Sequence, residues 1–260
     1  MIHLEEVRST NSWLLERLAK KEVLADETVV WTSRQTAGRG QIGNSWEAEP
    51  DKNLSMSMLL RPEFLPPREQ FIISEITAMA VMSTVAYYLP EKNVCIKWPN
   101  DIYVGDEKIA GILIENQLQG SLLSYSILGI GLNINQERWL SDAPNPTSIK
   151  LQSGKTNAVT DVLERLVQTL HGYYSLLRQS FIEGSANELK AEIHACFVSN
   201  LYRREGNFPY VDAETGEKFE ACIKDVEPTG QLCLKTTGGD LRRYWFKEIK
   251  FVLPCGVTKE

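Results

Sequence analysis

The sequence lacks the cysteine and histidine patterns that hold structural metals. None of its five cysteines forms a Cys-x-x-Cys pair, and its three histidines lie far apart along the chain, so we expect no structural zinc. An odd number of unpatterned cysteines is typical of a reducing compartment, where each thiol behaves as a small buried hydrophobic group. We therefore expect a cytoplasmic protein.

We also expect neither a secretory leader nor a membrane helix. Its first six residues, MIHLEE, contain neither a basic region nor an apolar core. No apolar run reaches the roughly 18 residues of a membrane helix. A net charge of −6 gives no overall electrostatic footprint for nucleic acid, although a local basic loop is compatible with it. Membranes and nucleic acids are therefore not expected as partners.

Hydrophobic periodicity predicts an α+β fold, in which antiparallel hairpins are covered by helices. A helix should begin after the capping residues Ser9 to Ser12. Further helices are predicted at residues 69–89, 160–178 and 185–197, and strands at 27–33, 53–60, 94–101 and 121–135, with a hairpin at 101–116.

The character of the sequence changes near Asn200. From Gly216 onward, short alternating segments are separated by turn residues at 228–230 and 237–239, which is typical of a small antiparallel barrel. We therefore expect two domains, an α+β domain at residues 1–198 and a barrel at residues 199–260.

A glycine-rich loop, GRGQIGNSW, spans residues 38–46. It contains G-x-G-x-x-G, but a dinucleotide fingerprint must open a helix, and here a second strand follows. Two interpretations remain, a plain flexible loop or a cradle in which backbone N–H groups and Arg39 hold an anion. Trp46 at its end is either a hydrophobic anchor or a stacking platform.

Two strands carry unusual residues. Lys97 shares a strand face with Cys95, opposite the apolar Ile96 and Trp98, so it either faces solvent at a sheet edge or meets a ligand anion in a pocket. On the second strand, Gly129, Gly131 and Asn133 share the face opposite a row of core residues. Strand glycines mark either a bend or a bare patch where a ligand approaches the backbone. Gly111 is a further glycine within a predicted strand, with the same two interpretations. Lys108, just before it, is either a charged turn residue or a site residue.

Several catalytic motifs are absent. There is no GxxxxGK[ST] phosphate loop, no GxSxG nucleophile elbow and no HExxH metal helix. The candidate residues are Arg, Lys, Gln, Asn and Gly, with no evident nucleophile–base pair. This set suits stabilisation of phosphates and positioning of a carboxylate better than covalent catalysis.

Taken in order, the motifs present in this chain resemble those of one family, the biotin protein ligases (biotin–acetyl-CoA-carboxylase ligases). The resemblance covers residues 9–133, and the C-terminal barrel is more weakly similar to that family's small SH3-like domain. The motifs are Ser9-Thr10-Asn11, Gln35-Thr36-Ala37-Gly38-Arg39-Gly40, Gly43-x-x-Trp46, Lys97-Trp98-Pro99-Asn100-Asp101, Lys108-x-Ala110-Gly111-Ile112-Leu113-x-Glu115 and Gly129-x-Gly131-x-Asn133.

The resemblance implies a catalytic domain like that of class II aminoacyl-tRNA synthetases and a two-step, AMP-forming reaction. Biotin and Mg²⁺·ATP would give biotinyl-5′-AMP, which a lysine of a biotin carboxyl carrier domain would then attack. Some family members carry an N-terminal DNA-binding domain, and motifs that begin at Ser9 lead us to expect a ligase without one. Whether two copies form a homodimer, and which residues bind the metal ion, stay open.

The resemblance also implies roles for individual residues. Lys97 and Arg39 would be the catalytic residues, and Lys97 would meet the carboxylate and α-phosphate. Arg39, Gly40 and Gln41 would belong to a mobile loop over biotin, and Gln41 would also contact ATP. Trp46 would stack near adenine and Asn133 would reach the phosphates. The remaining biotin-pocket residues would be Ser9, Thr10, Asn11, Gln35, Gly111, Gly129 and Gly131.

One position departs from the family pattern. Several members have Arg where this chain has Gln41, which can form hydrogen bonds but brings no charge. We therefore expect the adenylate to escape more easily. The alternative functions are a lipoate–protein ligase, although the family's GGGAVFHD-like stretch is absent, and a non-catalytic biotin-sensing protein.

Overall fold

The computed structural model describes residues 1–41, 43–120, 122–141 and 145–253. Its fold is α+β, as the sequence predicts. The first part of the chain contains β1 (Ile2–His3), α1 (Thr10–Ala19), β2 (Thr28–Thr32), β3 (Leu54–Leu60), α2 (Phe71–Tyr88), β4 (Val94–Lys97), β5 (Asp101–Val104), β6 (Glu107–Gln119), β7 (Leu122–Leu132), α3 (Ile149–Ser153), α4 (Val159–Glu183) and α5 (Ala186–Ser199). The last part contains β8 (Phe208–Asp212), β9 (Lys218–Val226), β10 (Leu232–Thr236), β11 (Leu241–Tyr244) and β12 (Ile249–Phe251).

A seven-stranded mixed sheet forms the centre of the molecule, in the order β1-β2-β3-β7-β6-β5-β4. Only the short β1 is parallel to its neighbour among the described strands. The register of the middle strands places Ser55 of β3 opposite Gly131 of β7, and Gly131 opposite Gly111 of β6. Small residues therefore form a row across three adjacent strands.

The two faces of this sheet are covered by different helices. The alternate residues Leu128, Ile130 and Leu132 of β7 lie in the main core, which α2 completes. On the other face α1 buries Leu14. Ser9 caps α1 by accepting a hydrogen bond from the Ser12 N–H, as its sequence predicts.

Helix α2 is apolar on nearly all sides because it lies in the core. With the short 3₁₀ helix before it, the segment Pro67–Tyr88 has the length and composition of a membrane span, with a mean hydropathy of 1.4. Glu75 and several serine and threonine residues interrupt its apolar residues, so it contains no long unbroken apolar run. Most of its apolar stretch, 67%, is buried inside the protein, as in the core helix of a soluble fold.

The C-terminal segment forms a five-stranded antiparallel sheet, β11-β10-β9-β8-β12. It is attached directly to the larger sheet, because Trp98 Nε1 donates to the Gly230 carbonyl at 3.0 Å. Phe71 packs so closely against Gly230 that a Cβ there would lie 2.7 Å from its ring. Glycine is required at this junction both for space and for its positive φ of 95°.

The predicted helices and strands are confirmed in type and approximate position. Three of the named elements were not predicted, namely the two-residue β1, α3 and β8. Helix α3 has five residues, too few to show a period, and β8 contains Pro209, which argues against a strand in sequence reading. Pairing of β8 with both β9 and β12 stabilises it despite the proline.

A histidine joins the helical layer to the C-terminal sheet. His194 of α5 lies 2.7 Å from Glu75 of α2 through Nδ1 and 2.9 Å from Asp225 of β9 through Nε2. The hydrogen bond to Glu75, followed by that to Asp225, raises the pKa of His194 to about 9 against the opposing effect of burial. Burial raises the pKa of Glu75, and the bond to His194 limits the rise.

We expect this bridge to make stability depend on pH. The folded-state pKa of His194 is raised, so its contribution is complete below its ordinary value of 6.5 and is lost as pH rises through about 9. Urea unfolding of wild type and His194→Gln should therefore show a stability difference that shrinks across this interval. Asp225→Asn should give a smaller difference with the same trend, and a difference that grew with pH would contradict this assignment.

Candidate functional site

A cavity of about 270 Å³ lies between the glycine-rich loop and the row of small residues on the sheet. It brings together nearly all of the site residues that the sequence predicts. Those lining it are Ser9, Thr10, Asn11, Gln35, Arg39, Gly40, Gln41, Trp46, Lys97, Gly111, Gly129 and Gly131. Segments that are far apart in the sequence therefore form one site, as the resemblance to the family's ordered motifs implies.

One end of the cavity is formed by neutral polar groups at the start of α1. The Thr10 N–H donates to Gln35 Oε1 at 3.0 Å, which ties the helix to the segment before the glycine-rich loop. The Ser57 hydroxyl lies 2.7 Å from Thr10 Oγ1, behind the cavity wall. Hydroxyl and amide groups of this kind can both donate to and accept from a neutral ligand.

Arg39 and Asn11 meet a carboxylate that the sequence reading did not assign. Arg39 makes a bidentate ion pair with Glu115, at 2.7 Å from Nη2 to Oε1 and 3.1 Å from Nη1 to Oε2. Asn11 Nδ2 donates to the same Glu115 at 2.9 Å. Glu115 belongs to the recognised motif, but its role becomes visible only when the loop is folded over β6.

Side chains from other parts of the protein fill the space above the strand glycines, which corrects the expectation of a bare patch. A Cβ at Gly129 would lie 2.3 Å from Asn11 Oδ1, and a Cβ at Gly131 would lie 2.3 Å from Trp46 Cε2. Gly129 therefore makes room for Asn11, while Gly131 and Gly111 make room for the Trp46 indole. Trp46 is an anchor of the loop here, and its stacking on adenine stays a prediction.

Lys97 is largely enclosed by the protein rather than exposed at a sheet edge. Its Nζ lies 4.9 Å from the ring centre of Phe251 and 5.5 Å from that of Tyr103. Burial lowers the pKa of Lys97 below its ordinary value, and the negative charge of Asp101 opposes that shift. A partly desolvated ammonium group facing a cavity interacts strongly with a ligand anion.

Lys108 provides a second cationic group in the cavity, to which the resemblance assigned no role. It lines the cavity, with its Nζ 2.6 Å from Asp101 Oδ1 and 5.8 Å from the Trp46 ring centre. Its position three residues before Gly111 in the motif was the available signal. The competing interpretation, a charged turn residue, is wrong because Lys108 lies within β6 and lines the cavity.

Asn133 is not among the residues that line the cavity in the described part of the chain. It is buried, and its Nδ2 donates to the Thr147 carbonyl at 2.9 Å. The Thr147 N–H in turn donates to the Lys108 carbonyl at 2.9 Å. In this structure Asn133 holds the segment that flanks Lys108, and a direct contact with phosphate stays a prediction.

The remaining wall comes from the C-terminal sheet. Phe246, in the connection between β11 and β12, lines the cavity and lies edge-on to Trp98, with ring centres 6.5 Å apart. The sequence analysis did not identify Phe246, because no local pattern indicates that it contacts a site formed by residues 9–131. Gln41 also lines the cavity, and its Oε1 is buried without a hydrogen-bond partner among the described residues.

The described residues contain no cluster of three or more His, Cys, Asp or Glu side chains that could hold a metal ion. This finding covers residues 1–41, 43–120, 122–141 and 145–253. Asp101 is the carboxylate on the cavity wall, and Lys108 already neutralises it. The donor set therefore does not resemble a dedicated protein metal site.

Known structures share this architecture. A biotin protein ligase from Aquifex aeolicus in complex with biotin and ATP superposes with a TM-score of 0.73 at 22% identity, over 97% of this chain and 98% of that one. A biotin protein ligase from Leishmania major in complex with biotinyl-5-AMP gives a TM-score of 0.59 at 23% identity, over 94% and 98% of the two chains. At these identities the likeness establishes the fold.

Relatives by sequence include a biotin–[acetyl-CoA-carboxylase] ligase of Mycobacterium tuberculosis, 28% identical over 88% of this chain and 81% of that protein. The bifunctional ligase/repressor BirA of Escherichia coli is 31% identical over 68% of this chain and 54% of its own length. A bifunctional ligase/repressor BirA of Bacillus spizizenii is likewise matched over 54% of its length. The chain thus spans about half the length of these bifunctional relatives.

A family model gives the most direct assignment. Residues 4–133 match the model described as the biotin/lipoate A/B protein ligase family. The matched half of the chain contains every segment that lines the cavity except Phe246. The chain therefore belongs to the biotin/lipoate A/B protein ligase family.

Proposed function

We propose that this protein activates biotin with ATP as biotinyl-5′-AMP and transfers the biotinyl group to a lysine of a biotin carboxyl carrier domain. One observation carries the proposal: a single cavity has neutral hydrogen-bonding groups at one end and the two lysines Lys97 and Lys108 at the other. Biotin has the matching polarity, with a neutral ureido ring and a carboxylate separated by an apolar tail.

In the first step, a carboxylate oxygen of biotin attacks the α-phosphorus of ATP and pyrophosphate leaves. Two negatively charged groups must approach each other, so the main barrier is electrostatic. Lys97 and Lys108 supply positive charge at the reacting atoms, and the low exposure of Lys97 strengthens its effect. The attacking group belongs to the substrate, which explains why no nucleophilic side chain is needed.

In the second step, the neutral amine of the acceptor lysine attacks the carbonyl carbon of the adenylate. An amide bond forms, the bond between the acyl carbon and the phosphate oxygen breaks, AMP leaves with the electron pair, and the amine nitrogen releases one proton to solvent. The same lysines stabilise the departing phosphate. The loop of residues 38–46 would exclude water from the mixed anhydride between the steps.

Several finer assignments support this reaction and belong to the proposal. Ser9, Thr10 and Gln35 surround the ureido ring, Gly40 and the loop cover it, and Gln41 contacts the nucleotide. Mg²⁺ would arrive with the ATP phosphates, since that ion commonly keeps few protein ligands. The larger fold is of the class II aminoacyl-tRNA synthetase type, at residues 1–198. The C-terminal sheet, at 199–260, is an SH3-like barrel, and the protein acts in the cytoplasm.

The test of this function is biotin-dependent exchange between ATP and pyrophosphate, with lipoate and octanoate as parallel substrates. We expect exchange with biotin alone, and a loss of about 10²- to 10³-fold in Lys97→Ala, comparable to removal of one preorganised stabilising group. Lys155→Ala, at an exposed lysine that does not line the cavity, is the matched control and should behave as wild type. Exchange with lipoate instead would assign lipoyl ligation, and binding of biotin without exchange would indicate a sensor.

The pH dependence of the exchange reports on Lys97. Because burial lowers the Lys97 pKa below 10.5, its positive charge should be lost at lower pH than for an exposed lysine. The exchange rate should therefore decline on the alkaline side below that value. Lys97→Arg keeps its charge over this range, so any activity that it retains should show no such decline. An identical alkaline decline in the arginine variant would refute the assignment to Lys97.

Gln41→Arg tests the departure from the family pattern. Gln41 Oε1 is buried at the cavity without a hydrogen-bond partner among the described residues, and no charge stands at this position. An arginine would add a cation facing the phosphate. We expect slower release of biotinyl-5′-AMP in the absence of acceptor, measured by rapid filtration of enzyme-bound label. Equal release rates would show that Arg39, Lys97 and the backbone already retain the adenylate.

A further inference from the structure

We propose that Glu115 is a positioning residue that fixes the direction of a chain of hydrogen bonds and thereby presents the Thr10 hydroxyl to the ligand as an acceptor. Glu115 is not itself among the described residues that line the cavity, so it acts through Asn11 and Arg39. The inference deepens the proposed function and rests on it, because the ligand group concerned is an N–H of the ureido ring.

The chain begins with the charge on Glu115. Both of its oxygens accept from the Arg39 guanidinium, at 2.7 and 3.1 Å, so the carboxylate is an acceptor toward its other neighbours as well. Asn11 is one of these neighbours, with Nδ2 at 2.9 Å from Glu115 Oε2. Because the Glu115 carboxylate has no proton to donate, Asn11 must be the donor in the hydrogen bond between them.

The amide of Asn11 has only one acceptable orientation. Its Nδ2 also donates to the Leu113 carbonyl at 3.3 Å. Turning the amide over would place Oδ1 against two acceptor oxygens, which is repulsive. Asn11 Oδ1 consequently faces Ser57, whose Oγ lies 2.5 Å away. Gly129 makes this arrangement sterically possible, since any Cβ there would collide with the amide.

The orientation of Asn11 then fixes which hydroxyl donates in the hydrogen bond between Ser57 and Thr10. Ser57 Oγ lies between Asn11 Oδ1 at 2.5 Å and Thr10 Oγ1 at 2.7 Å. An amide oxygen cannot donate and a hydroxyl has one proton, so the Ser57 proton goes to Asn11 and the Thr10 proton goes to Ser57. Gln35 Oε1, at 3.5 Å from Thr10 Oγ1, is a longer and weaker competitor for that proton.

Thr10 Oγ1 is left with free lone pairs on the cavity side. It therefore accepts from a ligand N–H and offers no proton to a ligand oxygen. In Glu115→Gln the new amide can donate to Asn11, so only the longer contact with the Leu113 carbonyl, at 3.3 Å, still opposes the turned amide. The turned amide would reverse the hydrogen bonds to Ser57 and Thr10 as well. The Thr10 hydroxyl could then donate into the cavity, and the preference for an N–H ligand would be lost.

The test compares biotin with an analogue methylated at its ureido nitrogens, by calorimetric titration and by pyrophosphate exchange. In Glu115→Gln we expect the preference for biotin over the analogue to fall, and the KM for biotin to rise by about ten- to a hundredfold, as for loss of a charged hydrogen bond. The KM for ATP should be unchanged. A purely structural role would lower the thermal midpoint and kcat and leave the preference intact.

Two further variants make the result decisive. Ser57→Ala breaks the chain while Arg39 and Glu115 stay paired, so the preference should fall there too. Glu217→Gln removes an equivalent bidentate pair with Arg242, at 2.9 and 3.2 Å in the C-terminal sheet, and should leave all parameters as in wild type.

An unchanged preference in both Glu115→Gln and Ser57→Ala would overturn the proposal. Because titration does not require turnover, wild type that binds biotin without exchanging pyrophosphate would refute the proposed function and still test Glu115.

Discussion

The pairing register of β3, β7 and β6 is the constraint on which the site depends. It places Ser55, Gly131 and Gly111 side by side, so the middle of the sheet carries almost no side chains on one face. Side chains from elsewhere can therefore lie directly on the strands. A shift of one residue would turn the bulky core residues of β7 into this space and close the cavity.

The other face of the same strands explains why this register is stable. Leu128, Ile130 and Leu132 are buried in the main core beneath α2, and burial of such side chains stabilises a fold by about 1.5–3 kcal/mol each. Burial of these apolar residues thus stabilises strands whose opposite face lines a polar, partly open cavity. Packing and function are separated by the two-residue period of the strand.

The cavity itself divides into regions of different electrostatic character. Lys97 and Lys108 lie near Asp101 at one end, whereas the opposite end has a fixed network of neutral groups anchored by the ion pair of Arg39 and Glu115. A ligand with one anionic and one neutral polar end can satisfy both regions in only one direction. The C-terminal sheet contributes Phe246 and is held in place by Trp98, so both parts of the chain shape the site.

The sequence by itself determined most of the elements and most of the residues that line the cavity. Alternation placed Gly129 and Gly131 opposite the core residues of β7, and Ser9 marked the start of α1, because both signals act between near neighbours in the chain. Only the tertiary structure decided that Asn11 and Trp46 fill the space above the glycines, that Lys108 reaches the cavity while Asn133 holds a neighbouring segment, and that Phe246 completes the wall. These contacts join residues far apart in sequence, and they depend on strand register and loop path, which no local period encodes.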